Sequence, residues 1–335
     1  MKMFLLTVVF LLFSLPSLHA QKREYALAIH GGAGTMQSLV NDQALAAPYY
    51  AALDTALRIG EKLLAEGVQA EEVVIAVIRY LEDNPLFNAG KGATVSYEGN
   101  FELDASIMLG KDLRAGAVAG VKTVRSPIEA AYAVMTKSPH VMLSGEGAER
   151  FAAEQGLEIV ENSYFATPRT LRLMEQLKSE FEKAENEKNG TVGCVVLDKH
   201  GNLAAGTSTG GMLRKRWGRI GDAPIIGAGT YADNNSCAVS CTGHGEYFIR
   251  HAVAFNLCAR YKYLGETVLQ ASEHIIHREL NAEAGNGGLI AVDKNGQIAM
   301  PYNSAGMFRG SLYKEVASPV PVRSVAIGAE PKVLP

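Results

Sequence analysis

Two segments constrain this chain more than any others. Val196-Leu-Asp-Lys-His-Gly-Asn-Leu203 and Ala291-Val-Asp-Lys-Asn-Gly-Gln-Ile298 share one template: an apolar run, a polar turn holding a glycine, and a return to apolar residues. Glycine adopts the positive φ that a tight turn between two right-twisted strands requires. Each segment therefore reads as a hairpin, and hairpins commit a chain to antiparallel sheet. Further strands are expected at Tyr25–Ile29, ended by His30-Gly-Gly-Ala-Gly34, at Leu103–Leu109 and Ala115–Val121, and near 225–230 and 236–241. Apolar residues recur at helical spacing over about 47–66 and 70–82. Ser126-Pro127 opens another helix, with proline at its first position. Two more helices are expected over about 245–262 and 266–279. The helices must cover the outer faces of the sheets, so the fold class is α+β, two stacked antiparallel sheets between helical layers.

With 335 residues, 47% of them hydrophobic, the chain can bury one large core or two smaller ones. The formal net charge is -3 and no basic tract occurs, which argues against a nucleic-acid partner. The first twenty residues stand apart. Lys2 is followed by an apolar run from Phe4 to Leu15, broken only by Thr7 and Ser14, and by Ser17-Leu-His-Ala20 before Gln21. This is the pattern of a secretory signal peptide, too short to span a bilayer stably; an uncleaved anchor is the alternative. The mature chain is expected to be exported, to the periplasm or the exterior, with no membrane segment of its own. Cys194, Cys237, Cys241 and Cys258 match no zinc or staple spacing. Cys237 and Cys241 would lie roughly 13 Å apart along a strand, beyond disulfide reach. All four read as core residues, with a Cys194–Cys258 bridge left open.

The chain changes character at 165–190. Leu171 to Lys188 is dense in Glu and Lys, either a solvated helix or a tether, and it meets the apolar strand Thr191-Val-Gly-Cys-Val-Val-Leu197 directly at Asn189-Gly190. Such a junction suits a processing site. Threonine is a poor nucleophile without a base, but at a chain N-terminus its own α-amine, of pKa about 8, can serve. Only cleavage after Gly190 would give Thr191 that amine. Thr207-Ser-Thr-Gly-Gly211 places hydroxyls at the end of the strand antiparallel to the Thr191 strand. Gly218-Arg-Ile-Gly-Asp222 sets a guanidinium and a carboxylate three residues apart, a pair that could grip the two ends of an amino acid or merely form a surface salt bridge. Ser240-Cys-Thr-Gly-His-Gly-Glu246 turns from strand to helix, where backbone N–H groups can hold an oxyanion or simply cap the helix.

These motifs, together with His30-Gly-Gly-Ala-Gly34, Pro85-Leu-Phe-Asn-Ala-Gly90, Gly190-Thr-Val-Gly193 and Gly227-Ala-Gly-Thr-Tyr-Ala-Asp-Asn234, run in an order that resembles the plant-type asparaginase and isoaspartyl aminopeptidase family of N-terminal nucleophile hydrolases. The likeness spans about 25 to 310. It implies a four-layer αββα sandwich, self-cleavage at Gly190/Thr191 into an α subunit of 21–190 and a β subunit from 191, and an (αβ)2 dimer. Thr191 would be the nucleophile and Thr209 its support. Arg219 would hold the α-carboxylate, and Asp222 with the carbonyl of Gly245 the α-amine. Thr242 and Gly243 would form the oxyanion hole. The backbone carbonyls of Leu81, Glu82, Asn84, Phe87, Ala89 and Lys91 would wrap a structural sodium ion, with no organic cofactor. Asn88 and the His30–Gly32 turn would lie near the scissile bond. The substrate class implied is asparagine and β-aspartyl dipeptides. A glycosylasparaginase is the nearest alternative, although Gly190-Thr-Val-Gly193 differs from the Asp-Thr-Ile-Gly usual there. An uncleaved amino-acid-binding protein and a protease of folded proteins are further readings. Arg214-Lys-Arg-Trp217 is more basic and bulkier than the family pattern, which bears on the leaving groups accepted.

Overall fold

The computed structural model describes residues 22–179, 190–329 and 331–334. The expected signal segment and residues 180–189, which include the second half of the charged run before Gly190, lie outside the described residues. Within them, no helix is long and apolar enough to cross a membrane.

The hairpin reading is borne out. β5 (Val192–Leu197) and β6 (Leu203–Thr209) pair antiparallel, as do β9 (Gly287–Asp293) and β10 (Ile298–Ala299). The first hairpin lies at the centre of a sheet of nine strands. β5 is flanked by β1 (Arg23–Gly34), and β6 by β2 (Leu103–Leu109). Beyond β2 come β3 (Ala115–Val121) and β4 (Met142–Ser144); beyond β1 come β11 (Gly306–Glu315), β12 (Val322–Ala326) and β13 (Lys332–Leu334). β3 and β4 run parallel, so this sheet is not wholly antiparallel as expected. The second sheet has four strands in the order β10, β9, β8 (Cys237–Gly243), β7 (Thr230–Ala232).

Three apolar clusters hold these parts together. One lies between the sheets: Ala28, Val195 and Ala205 of the large sheet meet Ala238, Ile290 and Val292 of the small one. Small residues recur on the large-sheet side, which lets the backbones approach closely. The other face of the large sheet packs Leu27, Ile29, Cys194 and Val196 against α2 (Gln43–Ala65), α3 (Ala70–Glu82) and α4 (Pro127–Lys137). The outer face of the small sheet packs Cys237, Val239 and Cys241 against α8 (Val253–Leu264) and α9 (Val268–His274). Among the described residues the other α-helices are α1 (Gln37–Asn41), α5 (Gly145–Glu154), α6 (Pro168–Ser179) and α7 (Gly245–Arg250).

Several boundaries differ from expectation for definable reasons. β1 does not stop at His30. It runs on to Gly34 through a register shift between His30 and Gly32, which glycine accommodates at φ 111°. The helix expected over 245–262 is broken, because Ala252 is left-handed at φ 45° and cannot continue a right-handed helix. The first amides of α8 instead reach back to Ala228 and Gly227 carbonyls. The strand expected near 225–230 is a turn, with Gly227 at φ 92°, and pairing begins only at Thr230. All four cysteines are buried and free. Cys194 lies in the helix-facing core of the large sheet and Cys258 in that of the small sheet, so the sheets themselves separate the pair left open above.

Candidate active site

The junction between Gly190 and Thr191 opens β5, and register places it. Val192 pairs with Ser208, so Thr191 lies beside Thr209 at the end of β6. The Thr191 hydroxyl donates to Thr209 Oγ1 at 3.1 Å, and that oxygen also accepts the Gly211 N–H at 2.9 Å. Gly32 presses on the bond before Thr191. A β-carbon on Gly32 would lie 2.4 Å from Gly190 Cα, and one on Gly190 would lie 2.4 Å from Gly32 Cα. Two backbones can approach this closely only where both residues lack side chains. The turn expected near the scissile bond is therefore against it.

His30 is fully buried and holds the other side of Thr191. Its Nδ1 lies 2.7 Å from the Thr191 carbonyl oxygen and its Nε2 lies 2.9 Å from Ser240 Oγ. Burial drops its pKa to about 4, partly offset by the bond to Thr191. Asn88 ties the neighbouring loop to the same place. Its side chain donates to the Gly211 carbonyl at 2.9 Å and accepts from the Thr94 N–H at 2.7 Å.

Thr242 and Gly243 end β8. Thr242 Oγ1 accepts the Ala33 N–H at 3.2 Å, which leaves its own proton to be donated elsewhere. A side chain at Gly243 would strike the Asn286 carbonyl oxygen, 2.5 Å from its β-carbon.

Arg219 and Asp222 fall at one place, as expected, but do not bond to each other. Arg219 makes a two-pronged pair with Glu246, with Nε and Nη2 each 2.9 Å from a carboxylate oxygen. The guanidinium is thus aimed in the geometry a carboxylate needs. Glu246 was within a recognised motif, but its sequence position gave no sign of this partnership. Asp222 is buried, and its Oδ2 has no hydrogen-bond partner among the described residues. Burial raises its pKa to about 7, against the pull of Arg219. A β-carbon on Gly245 would stand 2.9 Å from Asp222 Oδ1 and 2.7 Å from Arg219 Nη2. Glycine therefore keeps open a cradle with a cationic and an anionic end, the pattern that receives a zwitterionic amino acid.

Two buried charges near Thr209 were not read from sequence. Asp104, paired in register with Thr209, has one oxygen bonded to the Gly120 N–H and the other without a hydrogen bond, 3.8 Å from Lys215 Nζ. Burial raises its pKa, with Lys215 opposing. Lys215 lies over Gly211, its Nζ 3.1 Å from where a β-carbon would be.

The loop after α3 suits a hard cation. Pro85 and Phe87 carbonyl oxygens both lie 2.8 Å from the β-carbon position of Gly92, which only glycine leaves empty at its φ of 117°. Carbonyl oxygens that converge without a net charge match sodium chemistry. The expected set includes Phe87 but not Pro85. Three of its other members already accept backbone bonds: Leu81 from Asn84, Glu82 from Lys91 and Asn84 from Phe87. Ala89 is wholly buried in the same loop.

A central strand preceded by a threonine, a glycine-pressed peptide before it and a glycine-kept cradle between Arg219 and Asp222 suit an amide-hydrolase type of site. The asparaginase family model matches residues 23–321. The chain belongs to that family. An isoaspartyl peptidase of Salmonella typhimurium is 47% identical over 292 residues, covering 84% of this chain and 93% of that protein. The isoaspartyl peptidase of Escherichia coli is 46% identical over 294 residues, covering 84% and 91%. A probable isoaspartyl peptidase/L-asparaginase of Arabidopsis thaliana is 42% identical over 313 residues, covering 85% and 95%.

Proposed function

We propose that this chain is an isoaspartyl peptidase and L-asparaginase that activates itself by cleavage before Thr191. The observation that carries the reading is the Thr191 hydroxyl, held by Thr209 at 3.1 Å, beside a bond that Gly32 crowds. In the precursor, Thr191 Oγ attacks the Gly190 carbonyl carbon. The C–N bond breaks, the acyl group passes to oxygen as an ester and the Thr191 nitrogen, taking the hydroxyl proton, leaves as the free amine; water then hydrolyses the ester to the Gly190 carboxylate and the Thr191 hydroxyl. In catalysis that amine takes the hydroxyl proton as Oγ attacks the β-carbonyl of the substrate. Donors at Thr242 and Gly243 stabilise the oxyanion, each typically worth about 3 kcal/mol. The leaving amine takes the proton, and water then frees aspartate. Arg219 binds the α-carboxylate and Asp222 the α-ammonium, with the Gly245 carbonyl assisting. For this Arg219 must exchange or share its bond to Glu246.

The same reading places a sodium ion in the 81–91 loop, where it would stiffen the backbone that carries Asn88. It also makes the architecture a four-layer αββα sandwich, supported by the three apolar clusters, and the assembly an (αβ)2 dimer of 21–190 and 191–335 pieces, exported after removal of residues 1–20. Mass spectrometry of the purified protein tests the core of it. Wild type should give two pieces split at 190/191, and Thr191→Ala one inactive chain. Turnover of β-aspartyl-leucine or asparagine with an intact single chain would overturn the mechanism. Turnover of only asparagine-linked N-acetylglucosamine would shift the reading to a glycosylasparaginase.

A further inference from the structure

Among the described residues, a row of polar side chains crosses the largely apolar space between the sheets. His30, Gly193, Thr207 and Ser106 pair in register across β1, β5, β6 and β2 of the large sheet. Thr230 and Ser240 pair across β7 and β8 of the small sheet. The two rows meet. Ser240 Oγ lies 2.7 Å from Thr207 Oγ1, which is 2.5 Å from Thr230 Oγ1, itself 2.8 Å from Ser106 Oγ. All four hydroxyl residues are fully buried. Gly193 has no side chain because the seam occupies its place: a β-carbon there would stand 2.1 Å from Ser240 Oγ and 2.2 Å from His30 Nε2.

The bond order of this seam follows from chemistry. The Thr191 carbonyl can only accept, so His30 Nδ1 carries the proton and Nε2 is bare. Ser240 must then donate to His30, Thr207 to Ser240, and Thr230 to Thr207. At the far end Ser106 has one proton for two acceptors, Thr230 Oγ1 at 2.8 Å and the Ala223 carbonyl at 2.6 Å, and acts as a shared donor between them. Ala223 follows Asp222. The seam therefore runs from the Thr191 carbonyl to the backbone beside Asp222, its last two links sharing the Ser106 proton.

Apolar contact between two sheets resists separation but is indifferent to small sliding, because dispersion and burial are non-directional. Hydrogen bonds between buried hydroxyls fix both distance and direction, and an unmade one is costly. Thr191 stands on the large sheet, while Thr242 and the Asp222 loop belong to the small-sheet side. We propose that the His30–Ser240–Thr207–Thr230–Ser106 seam is a positioning device that sets the register between the sheets, and so the spacing of the nucleophile from the oxyanion donors and the amine clamp. Thr207, which bonds across the gap, is its central positioning residue. It touches neither substrate nor the reacting atoms.

This inference rests on the reading of Thr191 and Asp222 given above, and the test separates the two. Thr207→Val keeps the shape and removes the hydroxyl; Thr207→Ser keeps the hydroxyl and removes a methyl. Both are purified and compared with wild type for extent of cleavage at 190/191 against time and for kcat and KM on β-aspartyl-leucine. Thr207→Val should be folded but lower kcat/KM by about 10- to 100-fold, as small misplacements of reacting groups do. It should also cleave itself more slowly, while Thr207→Ser stays within about threefold of wild type. Equal activity of Thr207→Val and wild type overturns the proposal, as does a serine variant no better than the valine one, since volume would then be what matters. If the valine variant does not fold, Ser240→Ala carries the same comparison. Wild type that neither splits nor turns over substrate sinks the underlying reading instead.

Discussion

Asp222 shows how one residue joins stability to binding. Its carboxyl is raised to about 7 from an ordinary 3.8, chiefly by burial. The folded state therefore binds a proton more tightly than the unfolded state between those values, and stability falls as pH rises through that window. At the proposed site a bound α-ammonium would supply the missing partner and favour the charged form. Titration calorimetry near pH 6 in buffers of different ionisation enthalpy should thus show proton release when aspartate binds. The thermal stabilisation by aspartate should be larger at pH 8 than at pH 5. Absence of proton release would mean Asp222 is already charged in the free protein. Gly32 makes a second case. Gly32→Ala adds a β-carbon within 2.4 Å of Gly190 Cα at a φ of 111°. It should cost about 1–3 kcal/mol of stability and slow cleavage at 190/191, read from the fraction of uncut chain on denaturing gels over days.

At the scale of elements, the loop after α3 is the joint between helix and site. Glu82 ends α3, and its buried carboxylate accepts from Ser126 Oγ at 2.6 Å, Ser208 Oγ at 2.7 Å and the Ile128 N–H at 3.0 Å. It thereby caps α4 and grips β6 one residue before Thr209. Burial raises its pKa to about 7. Glu82→Leu would strand those three donors in the core and should destabilise by several kcal/mol, since buried donors left unpaired each cost about 1–3 kcal/mol. Chemical denaturation monitored by far-UV circular dichroism would report it. The cation proposed for this loop has its own check. Replacing sodium by tetramethylammonium, too large for a cage of carbonyls, should lower the melting temperature and kcat together. Potassium should restore them only in part. An unchanged melting temperature across all three salts would argue that the loop needs no ion.

For the whole molecule, strand order decides what cleavage does. β1 and β2, from before Gly190, flank β5 and β6, from after it, within one sheet. A cut at 190/191 therefore yields two pieces interleaved by main-chain hydrogen bonds on both sides of the hairpin. They should elute together in size-exclusion chromatography at neutral pH and separate only in denaturant, in one cooperative transition. Separation under native conditions would contradict the observed sheet order.

The local grammar of the chain lay in the sequence: hairpins from glycine turns, α4 from Ser126-Pro127, the pairing of the Thr191 strand with Thr207–Thr209. These follow from side-chain periodicity and turn sterics, which act over a few residues. That Arg219 and Asp222 lie together was legible for the same reason, because both residues sit on one short loop. The parallel edge strand, the left-handed break at Ala252 and the partnership of Arg219 with Glu246 were not legible. Nor were the buried Asp104 beside Lys215 and the hydroxyl seam from His30 to Ser106. Each depends on which faces meet when residues far apart in the chain are packed, and neither local conformation nor composition encodes that. Register across two sheets brought those groups together, and burial then set their proton affinities.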